Sequence, residues 1–316
     1  MNTSNIFKGD GVAVLIPCFN EARTIEKVIT DFRTELPHAR IVVIDNASTD
    51  DTAAVARQSG AEIRQEPRRG KGYVVEQMLR EVDADYFVMV DGDDTYPASF
   101  VHQLLAPIMS GHADMCVGAR LSSYEGEAFR PMHLIGNRLI RFLVNWIGRS
   151  NLTDILSGYR AYSRRVAREL PVTSPGFEVE TDMAFQMLYY HIHITEVAVP
   201  YRARPTGSSS KLRTFRDGAR VLWKVFTLLR SVKPLTFFGG ISLVLLFLGV
   251  TAGAPLIFGD QESYDVYVRH IPEAVLATGL VLLSFGSLFV GIILHAVNWR
   301  LRELHNVLTR PVRREY

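Results

Sequence analysis

Through the first two thirds of the chain, short apolar runs alternate with longer stretches whose apolar residues recur every three or four positions. The runs at 12–16, 41–44, 61–64, 86–90 and 113–117 have the length and β-rich character of buried strands. The stretches at 21–36, 50–58, 71–82 and 97–109 have helical spacing, the last opened by Pro97. Strands separated by helices of about 10 to 15 residues predict an α/β fold, a mostly parallel sheet with helices on both faces. In such a sheet ligands lie beyond the carboxyl ends of the strands, so the residues after each run are where chemistry is expected.

The last third follows a different pattern. Residues 234–259 and 274–299 contain no Asp, Glu, Lys or Arg, and each exceeds the roughly 20 apolar residues that cross a bilayer as a helix. Lys211, Arg213, Arg216, Arg220, Lys224, Arg230 and Lys233 precede the first segment, and Arg300, Arg302, Arg310, Arg313 and Arg314 follow the second. The loop between them carries Asp260, Glu262, Asp265 and Glu273 against Arg269. The positive-inside rule then places both termini, and the preceding domain, on the cytoplasmic side. Localisation in the plasma or inner membrane is expected if the source is bacterial. Over 213–233, Arg213, Arg216, Arg220 and Lys224 share one helical face, roughly opposite Phe215, Leu222, Val225, Phe226 and Leu229. That pattern suits an interfacial helix on anionic headgroups, or a helix packed on the preceding domain. The predicted organisation is a domain over 1–212, an amphipathic helix over 213–233, spans at about 234–258 and 274–298, and a basic tail over 300–316.

Composition narrows the partners. The 316 residues carry Lys+Arg 35 against Asp+Glu 33, a net charge of +2, and no global excess of charge points to nucleic acid. Two cysteines, Cys18 and Cys116, sit in or beside apolar runs, as expected of buried thiols in a reducing compartment. The first eleven residues are polar, with no signal-peptide core expected there. Homo-oligomers are left open.

Each predicted strand ends in polar residues. The first runs into Pro17-Cys18-Phe19-Asn20-Glu21, the second into Asp45-Asn46-Ala47-Ser48-Thr49-Asp50, the third is followed by Arg68-Arg69-Gly70-Lys71-Gly72, and the fourth ends at Asp91-Gly92-Asp93-Asp94. Carboxylates and hydroxyls at successive strand ends suit a base and a ribose. A Gly-Lys-Gly turn permits close backbone approach and offers a cation to phosphate, although its spacing is not that of a Walker A loop. Asp91 and Asp93, one residue apart after a buried strand, are hard oxygen ligands of the kind that hold Mg²⁺ or Mn²⁺ against substrate phosphates.

Taken together, Pro17-x-x-Asn20-Glu21, Asp45-Asn-x-Ser48-x-Asp50, Arg69-Gly-Lys-Gly72 and Asp91-x-Asp93 resemble a family 2 glycosyltransferase of the GT-A fold. Further on, Gly136-Asn137-Arg138, Asp154-x-x-Ser157-Gly158-Tyr159-Arg160, Arg204-x-x-Gly207-Ser208 and Lys211-Leu212 resemble the dolichyl- and polyprenyl-phosphate sugar synthases. The two terminal spans are similar to those of the membrane-anchored, GtrB-like subgroup. The chain departs from dolichyl-phosphate mannose synthases after the first aspartate, with Gly-Asp-Asp-Thr-Tyr-Pro in place of Ala-Asp-Leu-Gln-His-Pro, so mannose specificity is not implied.

The resemblance implies a metal-dependent, inverting transfer from a nucleoside-diphosphate sugar, a UDP-sugar favoured over GDP-mannose, to polyprenyl or dolichyl phosphate. Asp91 and Asp93 are then the metal ligands. Pro17, Asn20, Glu21, Asp45, Ser48, Asp50, Gly70, Lys71, Gly92, Arg204 and Lys211 would form the donor site, with Lys71 and Arg204 against its phosphates. The acceptor is already anionic and needs cations rather than a strong base. Arg120, Asn137, Arg138 and Arg160 are the candidates, Arg120 and Arg138 acting closest to the reaction. Arg160 serves either the lipid phosphate or the orientation of Asp154, which contacts sugar or is structural. Residues 133–147, with Arg138, Arg141 and Asn145 on one stripe, predict a helix lying near the membrane or a half-buried core helix. Glu178 or Glu180 could face the sugar. Transfer to a non-lipid acceptor and a catalytically silent nucleotide-binding scaffold are the rival readings. A processive polysaccharide synthase is disfavoured, since no Gln-x-x-Arg-Trp element occurs.

Overall fold

The computed structural model describes residues 9–120, 141–146, 148–176, 178–190, 192–202, 223, 226–227, 229–258 and 271–308. Two compact units divide at Lys224 and Val225, inside the 213–233 stretch expected to be one helix.

The first unit is built on seven strands: β1 (Val12–Cys18), β2 (Arg40–Asp45), β3 (Glu62–Gln65), β4 (Tyr86–Met89), β5 (Met115–Arg120), β6 (Arg160–Ser163) and β7 (Ile194–Val199). They lie in the order β3-β2-β1-β4-β6-β5-β7. All neighbours pair parallel except β6, which runs antiparallel to both β4 and β5. The helices are α1 (Ile25–Glu35), α2 (Thr52–Gln58), α3 (Lys71–Glu81), α4 (Val101–Met109), α5 (Arg164–Glu169) and α6 (Val179–Tyr189).

Strand periodicity explains the layering. Val12, Val14, Ile16, Ile41 and Val43 face one side with the apolar stripes of α1 and α4, including Ile25, Ile29, Phe32, Leu104 and Leu105. Ala13, Leu15, Val42, Ile44, Phe87 and Met89 face the other with Val74 and Met78 of α3, Val166 of α5 and Met183 of α6. Alternate side chains thus feed two cores, one per sheet face. Both cysteines are buried free thiols, and burial pushes Cys116 up to about 12.

The expected strands are all present, with shifted ends, and the sheet is mostly parallel. β6, α5 and β7 were not anticipated. β6 is four residues long and its first residue is an arginine, so neither length nor hydropathy marks it as a central strand.

The second unit contains two long apolar helices, α7 (Pro234–Phe258) and α8 (Ile271–Leu308). They form an antiparallel hairpin: Ser242 Oγ lies 3.0 Å from Ser284 Oγ, and Ser287 Oγ donates to the Phe238 carbonyl at 2.9 Å. Gly249 makes room for Leu280 and Val281, and Gly291 for Phe238. Their outer faces are uncovered, with Leu243, Phe247, Leu282 and Phe289 all exposed. Both are long and apolar enough to cross a membrane, and such uncovered apolar surface is not that of core helices. α8 continues past the expected end near 298, so Arg300 and Arg302 ride on the same helix.

Candidate active site

The carboxyl ends of β1, β2 and β4 converge, and their loops are bound to each other. Asn20, at φ 56°, donates its backbone N–H to Ser48 Oγ at 2.9 Å, while its Oδ1 accepts from the Thr49 N–H at 2.7 Å. The Glu21 N–H reaches Thr52 Oγ1, and Asp50 accepts from the Ala22 N–H and from both the backbone and hydroxyl of Thr52. Asp50 therefore fastens the first loop to the start of α2, a role internal to the protein. Asp45 is buried and accepts from the Ser48 N–H. Pro17 is paired within the sheet opposite Ile44.

Asn46 organises the next loop. Its amide donates to the carbonyls of Glu66 and Arg68, and its Oδ1 accepts the Gly70 N–H at 2.9 Å. The Gly72 N–H donates to the Pro175 carbonyl at 3.0 Å. A Cβ on Gly70 would lie 2.2 Å from that carbonyl oxygen, and one on Gly72 1.7 Å from the Ser174 carbonyl oxygen. Both glycines admit the protein's own 174–175 segment at close approach.

At the end of β4, Asp91 Oδ1 accepts from Lys71 Nζ at 2.5 Å, and the same ammonium lies 2.6 Å from Glu180 Oε1 at the start of α6. Burial alone would lower the lysine's pKa; the charges and hydrogen bonds of Asp91 and Glu180 reverse this and hold it well above the usual value. Among the described residues, Asp91 Oδ2 accepts no hydrogen bond, and Asp91 is the more open of the two carboxylates, 27% exposed against 5% for Glu180. Asp93 is buried, with Oδ1 accepting from the hydroxyl of Thr95 at 2.6 Å and from its N–H. The peptide between them is fixed by Thr24, whose hydroxyl donates to the Gly92 carbonyl at 2.6 Å. Gly92 itself packs on Cys18, where a Cβ would meet Sγ at 2.7 Å.

No cluster of three or more His, Cys, Asp or Glu groups suited to a metal occurs among the described residues. An uncommitted carboxylate oxygen on Asp91, beside Asp93 and a phosphate-seeking lysine, nevertheless fits Mg²⁺ or Mn²⁺. Such ions are commonly held by one or two carboxylates, with substrate phosphates and water completing the shell.

The antiparallel β6 brings a second loop to this end of the sheet. Gly158 lies against Asp91, and a Cβ there would sit 2.3 Å from Asp91 Oδ2. Tyr96 ties the two together, its hydroxyl oxygen accepting from Ser157 Oγ and the Gly158 N–H. Burial raises the Tyr96 phenol, which also feels the charges of Arg120 and Asp91.

Two arginines differ from their expected roles. Arg160 is wholly buried, donating to the carbonyls of Ser157 at 2.8 Å and Ile155 at 2.6 Å. It cannot touch a lipid phosphate there, and it does not orient Asp154. Arg120 does the latter, with Nε and Nη2 gripping the Asp154 carboxylate at 2.6 and 2.9 Å and its own N–H adding a third bond. Burial would raise the Asp154 carboxyl, but these bonds, the Arg120 charge and the Leu156 N–H hold it below the usual value. Asp154 and the front of the Arg120 guanidinium thus engage one another. Arg120 also lies over the Tyr201 ring. Asn145 caps the 150–152 turn, accepting from Leu152 N–H and Ser150 Oγ, rather than joining an acceptor-facing stripe. In the helical stretch 141–146, Phe142 and Trp146 are exposed. Asn137, Arg138, Arg204, Lys211, most of the helix expected over 133–147 and the basic face expected over 213–220 lie outside the described residues.

Sequence reasoning left out Asn46, Tyr96 and Thr24 and gave Glu180 no definite role. Asn46 had a signal, standing inside the second strand-end cluster; the partners of the others are far away along the chain.

Known proteins resemble this chain. The profile of glycosyl transferase family 2 matches residues 13–171. Glycosyltransferase AglJ of Haloferax volcanii is 34% identical over 288 residues, 88% of this chain and 92% of that protein. The dolichyl-phosphate hexose transferase of the same organism is 30% identical over 214 residues, 67% of this chain and 91% of that one. Among solved structures, glucosyl-3-phosphoglycerate synthase of Mycobacterium tuberculosis with Mn²⁺, UDP and glucosyl-3-phosphoglycerate superposes with a TM-score of 0.57. It is 24% identical, over 71% of this chain and 80% of that one, a likeness of fold.

Proposed function

The chain belongs to glycosyl transferase family 2, and from that premise we propose that it transfers a sugar from a nucleoside-diphosphate donor to a polyprenyl or dolichyl phosphate at the cytoplasmic face of a membrane. The observation that carries the reading is Asp91, with one carboxylate oxygen uncommitted beside Lys71 at the carboxyl end of the sheet. The two membrane-length helices and the likeness to a dolichyl-phosphate hexose transferase favour a lipid acceptor. The orientation follows from the charges at the hairpin's ends, Arg230 and Lys233 before it and Arg300 and Arg302 after it.

In this reading an oxygen of the lipid phosphate attacks the anomeric carbon as the bond to the donor diphosphate breaks, inverting that centre. No proton need be removed, because the acceptor is already an anion. A divalent ion on Asp91 and Asp93 would stabilise the charge that develops on the leaving diphosphate. Asp45 and Ser48 are assigned to the nucleoside, and the Lys71 ammonium, 2.5 Å from Asp91, to the donor phosphates. A UDP-sugar is the favoured donor, the solved neighbour being a UDP complex. Arg138 is assigned to the acceptor phosphate.

The test is extraction of radiolabelled lipid after incubating the full chain with polyprenyl phosphate, Mn²⁺ and UDP-glucose, UDP-N-acetylglucosamine or GDP-mannose. One donor should label the lipid, and EDTA should abolish the label. Label found only on a water-soluble phosphorylated acceptor such as phosphoglycerate would overturn the lipid reading, and full activity in chelator would overturn the metal.

A further inference from the structure

The carboxylate assigned to a divalent ion already holds a cation. Lys71 Nζ lies 2.5 Å from Asp91 and 2.6 Å from Glu180, so one ammonium is shared between two acids. The three groups come from three elements: the first turn of α3, the end of β4 and the first turn of α6. The root of Lys71 is immobile, because the Gly72 N–H is bound to the Pro175 carbonyl and the 174–175 segment fills the space beside both glycines. Only the ammonium end can swing, between a carboxylate that is 27% exposed and one that is 5% exposed.

This asymmetry has a chemical use. A divalent ion reaching Asp91 must displace or share the ammonium on Oδ1. Were Asp91 its only partner, Lys71 would compete at full strength for that carboxylate. With Glu180 behind it, the ammonium keeps a counter-ion when Asp91 is taken, and it stays at the mouth of the site as a cation for the incoming diphosphate.

We propose that Lys71 is a resident counter-cation of the metal site and that Glu180 is the positioning residue that lets it yield Asp91 to a divalent ion while remaining in place for the donor. The inference rests on the assignment of a metal to Asp91.

The test uses the full chain in detergent and measures Mn²⁺ binding without donor, by loss of the free-ion EPR signal, then UDP binding at saturating Mn²⁺. Lys71→Met should bind Mn²⁺ at least about tenfold more tightly, since a competing charge within a few ångströms is removed, yet bind UDP at least about tenfold more weakly. Glu180→Gln should weaken Mn²⁺ binding by about tenfold with UDP binding at saturating Mn²⁺ within about threefold of the parent. A merely structural triad would lose both affinities together, along with thermal stability. Unchanged or weaker Mn²⁺ binding in a Lys71→Met protein that still melts cooperatively overturns the proposal, as does parental Mn²⁺ affinity in Glu180→Gln. Should Lys71→Met lose its melting transition, Glu180→Gln decides alone. Absence of Mn²⁺ binding by the parent chain would instead sink the metal assignment itself.

Discussion

Gly158→Ala is expected to disable the site while leaving the fold almost untouched. The added Cβ would lie 2.3 Å from Asp91 Oδ2, 2.8 Å from its carboxyl carbon and 2.9 Å from Oδ1, where ordinary contact begins near 3.4 Å. The whole carboxyl group must therefore move by roughly 1 Å, and a displacement of that size in a reacting constellation costs on the order of a hundredfold in rate. The backbone has no objection to alanine, since Gly158 is not among the positive-φ residues. What gives way is the end of a side chain, so Asp91 swings off Lys71 and the melting temperature should fall by only about 2–4 °C, equivalent to about 1 kcal/mol. The assay is lipid labelling together with Mn²⁺ affinity. Gly279→Ala serves as a control, because a Cβ there meets nothing within 4 Å. Undiminished labelling with parental Mn²⁺ affinity in Gly158→Ala would refute the geometry on which the site is built.

Gly72→Ala should behave oppositely, costing about 2–4 kcal/mol of stability, because its Cβ meets the Ser174 backbone at 1.7 Å rather than a mobile side chain; denaturant midpoints measure it, and a parental midpoint contradicts it. Asp154→Asn should cost about 3 kcal/mol by removing the carboxylate that Arg120 grips in bidentate fashion. Because the folded-state pKa of Asp154 is depressed, its ionised form stabilises the protein above the unfolded-state value, and this contribution is lost as pH falls below about 4 through the folded-state value. The stability gap between parent and Asp154→Asn should therefore narrow on acidification, and a gap independent of pH would show that the ion pair is not its source. Arg138→Ala should raise the KM for lipid phosphate at least about tenfold with UDP affinity unchanged, equal loss of both removing its assigned role. A cysteine placed at Gln261 should react with an impermeant maleimide from the side opposite the termini, and labelling from the same side would reverse the topology.

Much of the fold was legible because its signals are local. The runs feeding β1, β2 and β4 are continuous apolar segments followed by polar clusters, and the lengths of α7 and α8 suffice to mark them. The interior of the second half was not, because its meaning depends on what lies across the sheet. Arg160 looks like a ligand for an anion until β6 carries it into the sheet, where its Nε and Nη2 donate to two main-chain carbonyls. Gly70 and Gly72 declare a close approach without saying whose backbone approaches. Arg120 and Asp154 are each plausible contacts for a ligand, and only their bidentate pairing shows that they engage one another. Glu180 reads with Glu178 as a sugar contact, and nothing local marks Lys71 as its partner, which stands on a different helix.

Because β6 enters the sheet against the direction of its neighbours, the chain departs after Arg120 and comes back at Arg160 on a single rim, beside Asp91. Residues 154–159 are fastened to β5 and to Asp91, so exchange without disturbing the strand pairing is confined to the stretch before Asp154. Descendants of one scaffold could thereby acquire new acceptors by swapping this stretch while their sugar-nucleotide half stayed as it was, and a chimaera joined after Arg120 and before Asp154 is the natural way to move acceptor preference from one relative to another.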